Sequence, residues 1–452
     1  MGFHNIEKKS FWYKFLYVYV RFWHDRIFYR KVVVLNYDKV PEKEPLIFTP
    51  NHQNALMDAL TMLFTVKNQL VFMARSDIFK KYAPILYFLK ILPIYRIRDG
   101  IDSLKKNKEV FDKTVDVLNA YNGLVILPEG NHKGVRRLRP LKKGFARIAF
   151  QTENAGKVKQ GIKVVPVGID YDEYTLCRSR LLVNFGNPIP VSEYIKTYNE
   201  NPAVGLNRLK NRLAEEIKPL IINIECEKYY DLINELRPLY RKSICIKEGM
   251  NPRDEGDGLK ADQIFVSYLE SAASKNPETI SKINDDFNKV KRTLKKAKLS
   301  ITELFTNATK GSVLLKIIML VLTFPLFLYG YLNNLLTYQL PYYLSRKVPD
   351  KMFHSSFMFV LTMLFFPLFY LLQTVAVFFI FNSWQTALVY LISLPVSAVV
   401  AWKWKNLYQK TVSDLRKIKF YKTKDFTETT NRLNNIIQIL NKLTGTKIAF
   451  EK

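Results

Sequence analysis

The stretch LIFTPNHQNALMDAL, residues 46–60, sets an apolar, β-prone run directly before a polar loop and a helix-prone segment, and it places His52 and Asp58 six positions apart. The run Leu46–Thr49 reads as a buried strand ending at Thr49-Pro50. Asn54 is suited to cap a helix opening on ALMDAL, because its side-chain oxygen can accept from an orphan N–H of the first turn. His52 then lies in the loop at the carboxyl end of the strand. Since it precedes the helix, helical periodicity leaves Asp58 free to turn back to the imidazole. A carboxylate on one ring nitrogen fixes the tautomer and leaves the other nitrogen as a base. An unperturbed imidazole titrates at about 6.5, which suits taking a proton from a hydroxyl at neutral pH.

Outward from this stretch, short β-rich runs alternate with helical ones: VVVL (32–35), LVFMA (70–74), LVIL (124–127), VVPVGI (164–169) and LLVNFG (181–186). Between them, residues 101–123 carry Leu104, Val110, Phe111, Val115 and Leu118 near helical spacing and close on Asn122-Gly123, a fitting C-cap. This alternation predicts an α/β fold, with helices on the faces of a sheet and ligands beyond the carboxyl ends of its strands.

The 452-residue chain has 69 Lys+Arg against 40 Asp+Glu, a formal net charge of +29. Such a charge calls for an anionic partner: nucleic acid, anionic lipid or a polyanionic substrate. Neither a zinc-knuckle spacing nor an RNP-type aromatic box accompanies it, so no nucleic acid is expected. Cys177, Cys226 and Cys245 are odd in number and too widely spaced for a metal motif, which predicts free thiols in a reducing compartment. The amino terminus lacks the apolar core and cleavage site of a secretory signal, so the catalytic part is expected on the cytoplasmic side of the cell membrane.

Membrane attachment is expected from both ends of the chain. Residues 11–29 hold ten aromatics among Lys14, Arg21, His24, Asp25 and Arg26, the composition of a helix lying at headgroup level. Three apolar segments follow much later, at about 313–336, 357–381 and 384–402. The last two read as a helical hairpin, each long enough to cross a hydrocarbon core of about 30 Å. The first contains Lys316, Pro325, Gly330 and Asn333-Asn334, which predicts a re-entrant or kinked in-plane element, and basic flanks on both sides predict an even number of crossings. Residues 203–300 read as helices broken at 247–258, and KVKRTLKKAKL, with Val290, Leu294, Ala297 and Leu299, reads as a surface-lying helix in lipid contact. The expected divisions are thus 1–31 (interfacial helix), 32–224 (catalytic domain), 225–309 (basic helical region), 310–404 (membrane domain) and 405–452 (basic cytoplasmic tail with an amphipathic helix over 426–443 stopped by Gly445).

Two further strand ends carry candidate chemistry. After LVIL come Glu129-Gly130, a second histidine, and the cations Arg136, Arg137, Arg139, Lys142 and Lys143, where the glycine allows close backbone approach and the cations suit a phosphate. In ILPIYRIRDG (91–100), Arg96 and Arg98 fall on one side of a strand-like stretch and could hold an anion together.

In this order the blocks NHQNALMD, LPIYRIR, LPEGNHKG and VVPVGID resemble those of the glycerolipid acyltransferases, over residues 46–170. The resemblance implies a mixed α/β sheet flanked by helices. It also implies His52 as general base, Asp58 as its orienting carboxylate, Arg96 as phosphate ligand with Arg98 beside it, and Glu129-Gly130 as the acceptor-binding turn. The donor would be acyl-CoA or acyl carrier protein, used as co-substrate without metal or bound cofactor. The remaining partners would be a phosphate-bearing glycerol acceptor and anionic membrane lipids. Three departures stand out: five residues separate His52 from Asp58 instead of four, the second block lacks its usual glycine, and EGNH replaces the common E-G-T-R. The wider spacing, and ELRPLYRK at 235–242, are similar to fungal-type glycerol-3-phosphate/dihydroxyacetone-phosphate acyltransferases, which favours an unacylated acceptor. Lysophosphatidate or another lysophospholipid is the alternative acceptor, and an inactive lipid-binding protein the alternative class. Arg136, Lys142 and Lys143 receive no role.

Overall fold

The computed structural model describes residues 6–95, 102–158 and 160–448. The chain divides into two compact units, Met1–Asn223 with Ser345–Val360, and Ile224–Leu344 with Leu361–Lys452.

Among the described residues, eight strands of the first unit form one sheet: β1 Lys31–Leu35, β2 Leu46–Pro50, β3 Leu70–Arg75, β4 Ile91–Ile94, β5 Gly123–Val125, β6 Lys163–Tyr171, β7 Arg180–Phe185 and β8 Ile189–Pro190. Their order is β1-β7-β6-β2-β5-β3-β4, with β8 also on β6. All neighbours run parallel except β6–β7 and β6–β8, so the sheet is mixed. β2 is buried at every position, as a central strand covered on both faces must be. β6 contains Pro166, which no ladder tolerates freely. It sits where the antiparallel partner changes from β8, paired at Lys163 and Val164, to β7, paired from Val167 onward.

Among the described residues, seven α-helices accompany the sheet: α1 Phe11–Phe22, α2 Ala55–Thr65, α3 Phe79–Phe88, α4 Asp102–Asn119, α5 Gly144–Asn154, α6 Ser192–Glu200 and α7 Pro202–Ile217. One core joins Ile47, Val71, Leu124 and Val164 of the central strands to Val117 and Leu118 of α4, Phe145 and Phe150 of α5, and Leu209 and Leu213 of α7. On α1, Phe11, Trp12, Phe15, Val18 and Phe22 are all more than half exposed, whereas Tyr13 is buried. This leaves an uncovered aromatic face of the kind expected for an interfacial helix.

Two local expectations are corrected here. The helix before β5 does not end on Asn122-Gly123: the left-handed residue is Tyr121, at φ 53°, and Gly123 opens the strand. A Cβ at Gly123 would stand 2.6 Å from both Leu70 and Phe48, so the glycine is required by strand packing instead of by capping. The strand expected over 124–127 spans Gly123–Val125, with the N–H of Ile126 still donating to Phe48 O.

The rest of the chain is helical: α8 Tyr230–Lys247, α9 Glu255–Lys275, α10 Pro277–Ala297, α11 Ile301–Leu304, α12 Lys310–Leu322, α13 Phe324–Arg346, α14 His354–Phe381, α15 Trp384–Phe420 and α16 Lys424–Thr444, the last closed by Gly445 at φ 63°, with the end of α13 and the start of α14 falling in the first unit. In α10, Val290 and Leu294 are buried with Ile280, Ile283 and Phe287, and Leu299 just beyond it is buried too. The KVKRTLKKAKL segment is therefore a solvated helix with its apolar stripe inside protein, not a lipid-facing one.

Among the described residues, two helices are by length and composition apolar enough to cross a membrane, Lys351–Phe381 and Trp384–Phe420, or three if α12 and α13, bent by 60°, count as one span. Pro325, in the first turn of α13, lacks the N–H that would continue α12, which accounts for the break at Thr323. The polar pair in α13 is fully engaged. Tyr390 donates to Asn333 Oδ1 at 2.5 Å, Tyr370 to Asn334 Oδ1 at 2.6 Å, and Asn334 donates to Ser397 at 3.2 Å. Lys316 likewise pairs with the buried Asp414 at 2.7 Å. Polar groups in an apolar bundle are tolerated when satisfied in this way.

Candidate functional site

His52 leaves the carboxyl end of β2, and its Nδ1 lies 2.8 Å from Oδ2 of Asp58 on α2. The same Oδ2 accepts from the backbone N–H groups of Gln53 and Asn54, each at 2.7 Å, while Oδ1 accepts from the Tyr171 hydroxyl at 2.7 Å. Asp58 is thus wholly buried with four donors on one carboxylate. The expectation that Asn54 caps α2 is corrected: its side chain makes no capping bond, donates to Tyr174 O at 3.0 Å and accepts from Ser355 Oγ at 2.6 Å. Asp58 supplies the cap itself, reaching back over the orphan N–H groups of the helix start. Ala55, at φ 43°, makes this reach possible. A left-handed residue takes up the extra position between His52 and Asp58, so five intervening residues still bring carboxylate to imidazole.

The rest of the loop is fixed from all sides. Asn51 exchanges both side-chain hydrogen bonds with the backbone of Ile169 on β6, at 3.0 and 2.6 Å. Gln53 donates to Val135 O and accepts from Tyr174. Glu129 accepts from the His52 N–H at 2.8 Å and from Arg139 Nε at 2.6 Å, and Arg139 donates back to His52 O at 3.2 Å. These bonds close a ring around the His52 backbone. Burial pushes the Glu129 carboxyl above its ordinary range, against the pull of the His52 N–H and Arg139. Burial, with the Asp58 charge added, lifts the Tyr171 hydroxyl far above 10, so it stays a donor.

With Nδ1 on Asp58, the proton sits there and Nε2 carries the lone pair. His52 lines a cavity of about 1910 Å³ beyond the strand ends. Apolar groups of α1, α2 and α3, among them Leu16, Val20, Leu60, Leu63 and Leu86, form one wall, while Gly130, Lys142 and Arg147 lie on another. Among the described residues, Lys142 and Arg147 form no ion pair. Gly130 lines the cavity at φ 74°, a conformation that favours glycine, whereas Glu129, 2% exposed, holds the His52 backbone. Arg136 is also internal, donating to Asp170 Oδ1 at 2.7 Å and to Tyr171 O at 2.8 Å. Arg96 and Arg98 lie outside the described residues.

Three participants were not legible in the sequence, Tyr171, Arg139 as a clamp and Asp350, while His132 was visible as a second histidine but received no role. Tyr171 directly follows the VVPVGID block, and a tyrosine in a strand next to a buried carboxylate is a signal only once the sheet order is known. His132 sits edge-to-face on His52, with ring centroids 5.4 Å apart, and its Nε2 is 2.9 Å from Asp350 Oδ2. A polarised base, a tautomer-fixing carboxylate, cations and a large apolar wall together suit acyl transfer to a hydroxyl of an anionic acceptor.

A family model described as Acyltransferase matches residues 31–170. Glycerol-3-phosphate O-acyltransferases 1 and 2 of Saccharomyces cerevisiae are 28% identical over 141 residues and 27% over 136, each alignment covering 30% of this chain and 18% of the yeast protein. The chain therefore spans about a fifth of the length of these relatives. The 1-acyl-sn-glycerol-3-phosphate acyltransferase of Streptococcus pneumoniae is 26% identical over 218 residues, 43% of this chain and 76% of that one. A crystal structure of the 1-acyl-sn-glycerophosphate acyltransferase of Thermotoga maritima aligns at 21% identity and a TM-score of 0.30, over 44% of this chain and 81% of that chain.

Proposed function

Because residues 31–170 match the acyltransferase family model and align with glycerolipid acyltransferases, we propose that the chain is a glycerolipid acyltransferase that transfers a fatty acyl group from acyl-CoA or acyl carrier protein to a hydroxyl of glycerol-3-phosphate or dihydroxyacetone phosphate, at a membrane surface, in phospholipid synthesis. His52 Nε2 takes the hydroxyl proton as the oxygen attacks the thioester carbonyl. The tetrahedral intermediate then collapses, the C–S bond breaks, and the thiolate leaves with the proton that the imidazolium returns. Asp58 steadies the imidazolium and holds its orientation. Lys142 and Arg147 on the cavity wall, with Arg96 and Arg98, are offered for the acceptor phosphate. The apolar wall suits the acyl chain, and the exposed aromatic face of α1 and the apolar helices α14 and α15 suit anchorage to an anionic bilayer from the cytoplasmic side.

The observation that carries this reading is the His52–Asp58 pair at 2.8 Å on the lining of a cavity of about 1910 Å³. Purified protein and a His52→Ala control, offered glycerol-3-phosphate, dihydroxyacetone phosphate and lysophosphatidate, each with acyl-CoA and with acyl carrier protein, test it. Turnover by the wild type that the variant lacks supports the reading, and equal behaviour with every pair sinks it. Lysophosphatidate as acceptor is a second reading, favoured by the larger share of this chain that aligns with the pneumococcal enzyme.

A further inference from the structure

The cavity holds two imidazoles, each tied to a carboxylate. His132 lies against His52, and both line the same space. Asp350, which takes His132 Nε2 at 2.9 Å, is itself held by the N–H of Met352 at 2.9 Å, and Phe353 packs edge-on against the His132 ring with centroids 4.7 Å apart. The turn Asp350–Phe353, between α13 and α14, therefore seats the second histidine. Among the described residues, neither His52 Nε2 nor His132 Nδ1 has a protein partner, and neither is a sealed, unsatisfied atom.

We propose that His132 is a specificity residue for the acyl acceptor: its Nδ1 accepts a hydrogen bond from a second hydroxyl while His52 acts on the first, so that the site selects an unacylated phosphorylated 1,2-diol. This rests on the acyl-transfer reading above and narrows its acceptor. An imidazole that gives its Nε2 proton to a carboxylate keeps a lone pair on Nδ1. Two such acceptors side by side suit two neighbouring O–H donors. A ketone or an ester on the carbon next to the reacting hydroxyl has no proton to give, so it would leave one nitrogen unpaired. Sites built to bond a substrate hydroxyl discriminate strongly against analogues that lack it. Because the His132 side chain is 16% exposed, water can partly replace the missing donor, and an effect of about tenfold is expected. The phosphate is left to Lys142 and Arg147, whose cationic groups match it better than a lone pair does.

The test compares glycerol-3-phosphate with 3-hydroxypropyl phosphate, the same chain without the second hydroxyl, using the full-length protein in detergent with acyl-CoA or acyl carrier protein as donor. Dihydroxyacetone phosphate and lysophosphatidate serve as further arms. The wild type should favour the diol by about tenfold or more in kcat/KM over each of the other three. In His132→Ala and in Asp350→Asn, the ratio of diol to 3-hydroxypropyl phosphate should fall to within about threefold, mostly through loss on the diol. A general loss of structure would lower both substrates together and leave that ratio standing. A wild-type ratio near one, a preference for lysophosphatidate, or a ratio unmoved in both variants overturns the proposal. A wild type that acylates none of the four overturns instead the acyl-transfer reading on which it depends.

Discussion

The two histidine–aspartate pairs of the cavity differ in every respect except distance. His52 and Asp58 are six residues apart, and the Asp58 carboxylate is wholly buried under four donors. His132 and Asp350 are 218 residues apart, and the Asp350 side chain is 52% exposed with two donors. The first pair is over-determined: the carboxylate that orients the imidazole also caps α2 and anchors Tyr171. The second can be lost without leaving a charge stranded in the interior. A buried carboxylate depends on all its partners, whereas a rim carboxylate falls back on water. The two pairs should therefore respond differently to the same kind of damage.

The largest effect falls on the first pair, and two variants split its roles. His52→Ala should lower kcat by about 10³-fold or more and, because it takes only the Nδ1 donor from the buried Asp58 carboxylate, destabilise by about 1 kcal/mol. Asp58→Asn should lower kcat by about 10²- to 10⁴-fold and also destabilise by about 2–4 kcal/mol, because an amide turns N–H donors toward donors already in place. Equal melting temperatures for the two variants would refute the dual role of Asp58. Tyr171→Phe takes away one of the four donors. Because burial and the Asp58 charge push its hydroxyl above the ordinary tyrosine range, it stays a protonated donor while the comparison is made near neutral pH. A loss of about 1 kcal/mol and a kcat fall of about tenfold are expected from thermal melting and steady-state rates.

What the sequence disclosed follows the same division. Short continuous apolar runs marked β1, β2, β3, β5, β6 and β7 because strand burial is written locally. His52 and Asp58 were visible for the same reason, lying within one strand–loop–helix unit. Asp350 was invisible because nothing local at 350 speaks of residue 132. Cation-rich stretches misled in both directions. The run 136–143 suggested a phosphate site, yet Arg136 and Arg139 spend their donors on Asp170 and Glu129. In KVKRTLKKAKL, lysines on the exposed face obscured an apolar stripe committed to the interior. Asn54 and Asn122-Gly123 failed as caps because propensity was overruled by a carboxylate four residues on and by a tight strand contact.

A smaller effect should come from the ring of bonds that holds the His52 backbone. In Glu129→Gln, one oxygen can still accept, but the amide nitrogen would face either the His52 N–H or Arg139. A loss of about 1–2 kcal/mol and a several-fold fall in kcat are expected, since the base shifts without being removed. The pH dependence carries a definite sign. Because the folded protein raises the Glu129 carboxyl above its unfolded value of about 4.3, that group's contribution is fully present below this pH and is lost as pH rises through the folded value. The glutamine variant lacks this component, so the wild type's melting advantage should shrink on going from about pH 4 upward across the carboxyl range. An advantage that grows over the same range would reverse the assignment of burial as the dominant cause.

The smallest effect belongs to Ala55, and it bears most directly on why six residues can do what a shorter spacing does elsewhere. At φ 43° an alanine stands in a conformation that costs an L residue about 1–2 kcal/mol. Ala55→Gly removes that strain but gives the unfolded chain more freedom, worth about 0.4–1 kcal/mol in the other direction. The balance is a gain between zero and about 1.6 kcal/mol, with kcat within about threefold of wild type. Ala55→Val works against both terms, because a β-branched residue is disfavoured at positive φ. It should lose about 2 kcal/mol or more and, by unwinding the turn that carries Asp58 back to His52, should lower kcat as well. If glycine and valine at this position melt alike, the left-handed entry into α2 is not what lets the longer spacing close.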